Sequence, residues 1–269
     1  MTGASGSFYS RTMNYNLEGY LTLTVNWKQT CEPGDDFSTV EVEAAIVRDN
    51  SGNPAGGTWL ANAAGGILVN GEKACGWSKN QSAGWTNPGS TGWSGKGSVK
   101  VNHTAAKTIT IQIQSVTWNN QSYSSSSFSI PAKSQSVTLS AIPQKHTLTI
   151  KAGAGSTITV NRTSSPSGKK GNLANGAEIY DGDVLKLTTA VTLPYEIVTQ
   201  TVNGAAFTSG GSHTVSKDVS VVTTTRMLGL MRISNGTTFD AYLVYISNGS
   251  SLEMYLLYID NGSSWDLYR

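Results

Sequence analysis

Residues 107–120 read KTITIQIQSVTWNN, and apolar side chains fill every second position of the central part. Ile109, Ile111 and Ile113 alternate with Thr and Gln, which is the pattern of a β-strand with one buried face. No stretch of 12 or more residues keeps apolar positions at helical spacing, whereas period-two alternation recurs along the chain. The sequence therefore predicts an all-β protein. The clearest strands are Tyr20 to Trp27, Val40 to Arg48, Thr108 to Trp118, Ser136 to Ile142, Thr147 to Ala152, Thr157 to Arg162, Val184 to Val191, Glu196 to Val202 and Val219 to Thr225.

The composition favours a neutral polar surface. Charged residues make up 13% of the 269-residue chain, compared with about 25% in typical soluble domains. The formal net charge is +2, and no run of Lys or Arg is longer than Lys169-Lys170. Nothing in the sequence therefore attracts a phosphate backbone or an anionic membrane. We expect neither nucleic acid nor a membrane among the partners, and no motif predicts a cofactor.

The first residues give no targeting signal. No charged segment followed by an apolar core stands at the N-terminus, and no apolar run approaches the ~20 residues that span a bilayer. The expectation is a soluble chain made in the cytoplasm.

The two cysteines, Cys31 and Cys75, lie 44 residues apart without a C-x-x-C spacing or clustered histidines. In a cytoplasmic chain this pattern favours buried free thiols over a disulfide or a metal site. The sequence alone leaves open whether the two are paired.

The composition of the chain and the spacing of its apolar residues change at two places. A Ser-rich pair of strands ends at Pro143, and a new alternating series starts at His146. Near Arg226 a Thr-rich strand gives way to Tyr- and Leu-rich repeats. These changes predict three segments, at residues 1–143, 144–226 and 227–269.

Three Gly-Trp pairs follow one another between Cys75 and Gly97, eight residues apart each time. An indole face can cover the apolar face of a sugar ring, so Trp77, Trp85 and Trp93 are candidate glycan-binding residues on a Gly-, Ser- and Asn-rich loop. The alternative is that these side chains fold inward and serve as a small core for the loop.

No catalytic residue and no metal site is predicted. His103 follows a strand without a nearby carboxylate or Cys, which favours a hydrogen bond that stabilises a turn. Asp181, Asp183 and Asp218 lack the ligand spacing of an EF-hand calcium loop, so Asp181 to Asp183 is interpreted as a tight turn.

The chain ends on three copies of a thirteen-residue repeat, at 231–243, 244–256 and 257–269, each with an Asn-Gly pair. Asn-Gly between alternating runs is typical of a two-residue hairpin turn. Such turns predict a meander with one long strand per copy, which sets Tyr245 opposite Leu252, Phe239 opposite Tyr258, and Tyr258 opposite Trp265. One face would be almost wholly apolar, so it should pack on a neighbouring copy of the chain, unless the repeats complete the middle segment's sheet in a monomer. The predicted interface residues are Phe239, Leu243, Tyr245, Leu252, Met254, Leu256, Tyr258, Trp265 and Leu267.

Three stretches carry a resemblance to known proteins. Residues 101–104 read VNHT at a strand end, and the following Thr/Ile and Ser-rich strands close on Ile142-Pro143. This order resembles the N-terminal domain of minor structural and tail-fibre proteins of tailed phages, over about residues 7–143. The second stretch, YDGDVLKLTTAV at 180–191, resembles small β-modules of bacterial surface proteins and phage fibres. The third, YIDNGSSWDLY at 258–268, resembles sequences found near the ends of phage tail proteins.

The resemblance implies a jelly-roll-like β-sandwich, then a small β-module, then hairpin repeats. It also implies a virion protein of a fibre, tail tip or baseplate, with other virion proteins as partners and host surface polysaccharide as a candidate ligand. Because phage fibres are commonly trimers, the implied assembly is a homotrimer. A capsid-decorating or head-fibre protein is the alternative. A glycan-degrading enzyme is less favoured, because no motif orders the carboxylate pair that this chemistry needs.

Overall fold

The structure, a computed structural model, describes residues 2–14, 19–48, 57–85, 89–121 and 127–228, and six short segments beyond. Those segments are 231–234, 239–242, 245–247, 252–254, 258–260 and 265–267. Every helix or strand assigned in these described ranges is a β-strand, which confirms the all-β prediction. The chain divides into two compact units, Met1–Gln144 and Lys145–Arg269. The boundary lies one residue from the one predicted after Pro143.

The first unit contains twelve described strands. They are β1 (Thr2–Asn14), β2 (Gly19–Thr30), β3 (Phe37–Arg48), β4 (Gly57–Ala61), β5 (Gly65–Val69), β6 (Glu72–Trp77), β7 (Ser82–Trp85), β8 (Thr91–Asn102), β9 (Lys107–Ile113), β10 (Val116–Asn120), β11 (Ser127–Ile130) and β12 (Lys133–Leu139).

These strands form three antiparallel sheets of four strands each. The long strands make the first sheet, in the order β1-β2-β3-β8. The other two have the orders β11-β10-β4-β7 and β12-β9-β5-β6, and the first sheet contacts both through one shared cluster of buried side chains. The first unit is therefore a β-sandwich.

The alternation of apolar and polar residues, which predicted the strands, also indicates which side chains form the core. Ile109, Ile111 and Ile113 of β9 are buried, while Thr108 before them and Thr110 between them are exposed. Burying one such side chain stabilises a fold by about 1.5–3 kcal/mol. Because the side chains of a strand alternate between its two faces, one Ile series anchors the whole strand in the core.

Strands β4 to β8 are absent from the predicted set, because glycine hides their alternation. Gly66 and Gly76 lie opposite each other where β5 and β6 approach closely. A Cβ on Gly66 would lie 2.0 Å from the backbone oxygen of Cys75, and one on Gly76 would lie 2.0 Å from that of Gly65. Only glycine permits this approach, and glycine contributes nothing to a hydrophobic pattern.

The second unit begins with nine strands. They are β13 (Lys145–Lys151), β14 (Ser156–Ser164), β15 (Gly171–Leu173), β16 (Glu178–Tyr180), β17 (Val184–Val191), β18 (Tyr195–Val202), β19 (Ala205–Ala206), β20 (Ser212–Thr214) and β21 (Val219–Met227).

Two sheets enclose the core of this module. One has the order β16-β13-β21-β18-β19, with β13 and β21 parallel, and the other has the order β15-β14-β17-β20. Leucine and valine side chains such as Leu148, Val160, Leu185 and Val221 fill the space between them. The predicted strand from Val184 to Val191 has the same bounds in the structure.

The terminal repeats contribute three separate two-stranded antiparallel sheets. Within the described segments each copy supplies two short strands that pair with each other. The strands are β22 (Met231–Ser234), β23 (Phe239–Tyr242), β24 (Tyr245–Ser247), β25 (Leu252–Met254), β26 (Tyr258–Asp260) and β27 (Trp265–Leu267).

The predicted register of these hairpins is wrong by two residues. Tyr245 lies opposite Met254 instead of Leu252, and Tyr258 lies opposite Leu267 instead of Trp265. Phe239 pairs with Ser234 of its own copy and not with Tyr258. The physical reason for the shift is loop length, since four residues beginning with Asn-Gly separate the closing pairs instead of two. The predicted meander with one long strand per copy is also wrong within the described segments, because each copy forms a separate hairpin of two short strands.

Candidate functional site

The Trp residues of the Gly-Trp pairs lie on strands and not in a loop. Trp77 ends β6, Trp85 ends β7, and Trp93 lies near the start of β8. Trp77 and Trp93 are 1% and 4% exposed, and their rings meet edge to face at 5.5 Å. The glycan-binding prediction is therefore wrong for these two, because a sugar ring has no access to either indole. The side chain of Trp85 lies outside the described residues.

The alternative, that the indoles fold inward, is correct for Trp77 and Trp93. They join the core of the whole sandwich and not a separate core of a loop. The absence of a side chain on two glycines leaves space for these indoles. A Cβ on Gly65 would lie 3.2 Å from Trp77 Nε1, and one on Gly95 would lie 2.7 Å from the Trp93 ring.

His103 belongs to a hydrogen-bonded network that includes two fully buried polar side chains. Its Nδ1 lies 2.8 Å from the backbone oxygen of Ala105, and its Nε2 lies 2.8 Å from Ser38 Oγ. Gln29 donates to Ser38 Oγ at 2.8 Å and to the backbone oxygen of Ser140 at 2.9 Å. Both ring nitrogens of His103 are therefore occupied, as expected for a residue that stabilises a turn.

Replacing His103 by alanine is expected to lower the free energy of unfolding of the first unit by about 1–2 kcal/mol, because two hydrogen bonds are lost. Urea denaturation followed by Trp fluorescence measures this loss. Thr104→Ala is the matched control, since that side chain is exposed. An unchanged midpoint for His103→Ala would show that the network does not stabilise the fold.

Cys31 and Cys75 are both buried and are not joined by a disulfide, as predicted. Burial raises the pKa of the Cys75 thiol above its ordinary value. Cys75 is thus kept in its thiol form at neutral pH, which suits a core residue and not a nucleophile.

The aspartates around Gly182 stabilise a turn of the second unit. Asp183 Oδ2 accepts a hydrogen bond from the backbone N–H of Tyr180 at 3.0 Å and lies 2.9 Å from Arg162 Nε. Asp181 Oδ1 accepts a hydrogen bond from His146 Nε2 at 2.7 Å. The turn interpretation is confirmed, because the Asp183 N–H donates to the backbone oxygen of Tyr180 at 2.9 Å and Gly182 has a φ of 81°.

A groove of about 400 Å3 opens on the outer face of the sheet β1-β2-β3-β8. It is lined by side chains from three neighbouring strands, in two successive rows of the ladder. These are Asn26, Glu43 and Lys96 in one row, and Thr24, Ala45 and Ser94 in the next. β2 and β3 are consecutive, but β8 reaches β3 only through long-range pairing, so the sequence alone does not indicate this groove.

The groove is balanced in charge. Lys96 Nζ donates to Glu43 Oε1 at 2.6 Å, and this hydrogen bond lowers the pKa of Glu43 and raises the pKa of Lys96. Both groups are therefore ionised at neutral pH. A smaller groove of about 140 Å3 adjoins this one and shares Glu43, with a second ion pair between Lys28 and Glu41 at 3.0 Å. The surface offers fixed donors and acceptors without excess charge.

Within the described residues no group of three or more His, Cys, Asp or Glu side chains could hold a metal ion. No described helix is long and apolar enough to cross a membrane. No family model, no curated protein and no solved structure matches this chain.

Proposed function

We propose that the protein is a structural component of a tailed-phage virion, in a fibre, tail tip or baseplate position. The observation that carries the proposal is the terminal series of three hairpins, whose paired strands share one register in consecutive copies of the repeat. The resemblance of the three sequence stretches to phage and fibre modules supports it. So does the division into two all-β units with a low content of charged residues.

Gold-tagged antibody against the protein, applied to intact particles of the phage that encodes it, tests this proposal. Label at the tail supports it, and label on the head supports the capsid-decorating or head-fibre alternative. Particles without label, when an antibody against a known virion protein does decorate them, would refute a virion role.

Assembly through the terminal repeats is part of the proposal. Apolar residues recur in every copy, and the interface assigned to them comprises Phe239, Leu243, Tyr245, Leu252, Met254, Leu256, Tyr258, Trp265 and Leu267. Leu243 and Leu256 lie outside the described residues, and the side chains of the others are not described. Water exposure of such a surface would drive association, and three copies around one axis would cover it.

The full chain is expected to be a trimer, and a chain ending at Met227 is expected to be a monomer. Size-exclusion chromatography with light scattering measures both masses. Leu252→Lys combined with Met254→Lys should also give monomers, because two charges would enter an apolar interface. Ser250→Lys, which adds charge between β24 and β25, is the control. A monomeric full chain would instead favour repeats that complete the sheet of the middle module.

Glycan hydrolysis receives less support than a structural role. Glu41 and Glu43 occupy successive outward positions of β3, and each forms an ion pair with a lysine. A glycosidase needs one carboxylic acid with a raised pKa to protonate the leaving oxygen. Lys96 lowers the pKa of Glu43, which is the opposite of that requirement.

A further inference from the structure

The groove on the outer face of the sheet β1-β2-β3-β8 is formed by small residues with longer side chains around them. Ala45 and Ser94 lie directly opposite each other in one of its two rows, and the next pair of the ladder, Ala44 and Gly95, also lines it. Longer side chains stand around this low floor, on the rows before and beside it. A β-bulge between Ile46 and Val47 also interrupts the pairing of β3 with β8 next to the groove, and bulges re-aim neighbouring side chains.

The polar groups of the groove suit hydroxyls. Asn26 lies opposite Glu43, and Glu43 lies opposite Lys96, so an amide, a carboxylate and an ammonium stand in one row. An amide both donates and accepts, a carboxylate accepts, and an ammonium donates. Vicinal hydroxyls of a sugar both donate and accept, and adjacent groups of this kind can bind them together.

One exposed aromatic ring lies beside the groove. Tyr9 is 48% exposed and pairs with Thr24, so it extends the row that continues through Ala45. Lys133 Nζ donates to the backbone oxygen of Tyr9 at 2.7 Å and lies 4.8 Å from the ring centre. The Arg11 guanidinium also lies 5.6 Å from the ring centre. These contacts hold the ring at the edge of the sheet, where the part of its surface that the two cations leave exposed can contact a second sugar unit.

We propose that this groove, formed by Thr24, Asn26, Glu43, Ala45, Ser94 and Lys96, binds a neutral pyranose unit of a polysaccharide, with Tyr9 covering the next unit. Its volume falls in the range of about 300–1,000 Å3 that ligand sites occupy. The ion pair between Glu43 and Lys96 leaves no excess charge to select an acidic sugar. The inference rests on the proposed function only for the source of the sugar, a bacterial cell surface.

The test uses the full chain, labelled with nitrogen-15, and four tetrasaccharides built of glucose, galactose, N-acetylglucosamine or galacturonic acid. At least one neutral tetrasaccharide is expected to shift the backbone amide signals of Asn26, Ala45 and Ser94 and to saturate. The galacturonic acid tetrasaccharide should bind at least about tenfold more weakly, because Lys96 is already paired with Glu43 and cannot compensate the desolvation of its carboxylates.

Variants locate the site. Asn26→Ala and Glu43→Gln should each raise the dissociation constant about tenfold, and Tyr9→Ala about threefold or more. Glu178→Gln is the matched control, because Glu178 forms an exposed ion pair with Lys145 on the second unit. It should leave binding unchanged.

Three results would overturn the inference. These are no saturable shift with any neutral tetrasaccharide, binding of the acidic one alone, or equal affinity of Glu43→Gln and the parent chain. None of them depends on where the protein lies in a particle. A chain that binds sugar but does not decorate virions would refute the proposed function and leave the groove assignment standing.

Discussion

Replacing Trp77 by alanine is expected to lower the free energy of unfolding of the first unit by about 3–5 kcal/mol. Trp77 is among the largest fully buried side chains, and it packs edge to face on Trp93. Removing the indole loses its transfer free energy, and the close backbone approach at Gly66 and Gly76 prevents the strands from collapsing into the cavity. A loss of this size is a large fraction of the stability of a typical domain.

Urea denaturation followed by Trp fluorescence is selective for this unit. Six of the seven tryptophans lie at or before Trp118, and only Trp265 belongs to the second unit. Lys73→Ala on the same strand is the matched control, because Lys73 is exposed. Trp77→Phe should lose less than Trp77→Ala, since an aromatic ring remains beside Trp93. If Trp77→Ala lost less than about 1 kcal/mol, Trp77 would not be a core residue.

The strands rich in Ile, Val and Thr could be predicted from the sequence, and those rich in glycine could not. The segment Val184 to Val191 and the Ile series of β9 were correctly placed on strands because alternation of large and polar side chains reports burial directly. The predicted strand from Thr108 to Trp118 is wrong in its length, because the chain leaves β9 after Ile113 and continues as β10 in another sheet. Around Trp77 the same burial is achieved by indoles lying over glycines, which breaks the alternation. The sequence around the Gly-Trp pairs therefore predicts a loop, whereas the structure has strands there.

The groove could not be predicted, because its position depends on pairing between distant strands. Asn26 and Glu43 are 17 residues apart, and Glu43 and Lys96 are 53 apart. The alternation indicates that each points outward, but it does not indicate which strand lies beside which. The sheet order β1-β2-β3-β8 skips four strands, and this crossover alone brings Lys96 to Glu43.

In the terminal hairpins, too, the sequence pattern did not determine which residues pair, although the paired strands are close in sequence. The Asn-Gly pair correctly indicated that the chain reverses direction in every copy, but the number of residues between the strands decides which residues face each other. With four residues in the loop, Tyr245 pairs with Met254, and Tyr258 pairs with Leu267. A shift of two residues, unlike a shift of one, keeps the same residues together on one side of a ladder. The choice of interface residues therefore does not depend on the corrected register.

Replacing Asp183 by alanine is expected to destabilise the second unit by about 3–5 kcal/mol, because it leaves a buried guanidinium without its carboxylate. The side chains of Arg162 and Asp183 are 5% and 0% exposed. The same substitution removes the acceptor of the Tyr180 N–H, which closes the turn at Gly182. Hydrogen exchange by mass spectrometry resolves this unit, and peptides from β14 and β17 should exchange faster while those from β9 do not change.

Two further variants separate the charge from the turn. Asp183→Asn keeps an oxygen that can accept from the Tyr180 N–H, so its loss beyond the parent chain measures the unpaired charge of Arg162. Arg162→Met combined with Asp183→Leu removes both charges and should destabilise by less than Asp183→Ala alone, since buried ion pairs tolerate apolar replacement better than the loss of one partner. Glu178→Gln, in the exposed pair with Lys145, should change exchange little. Equal losses for Asp183→Ala and the double variant would show that the turn, and not the buried charge, sets the stability of this unit.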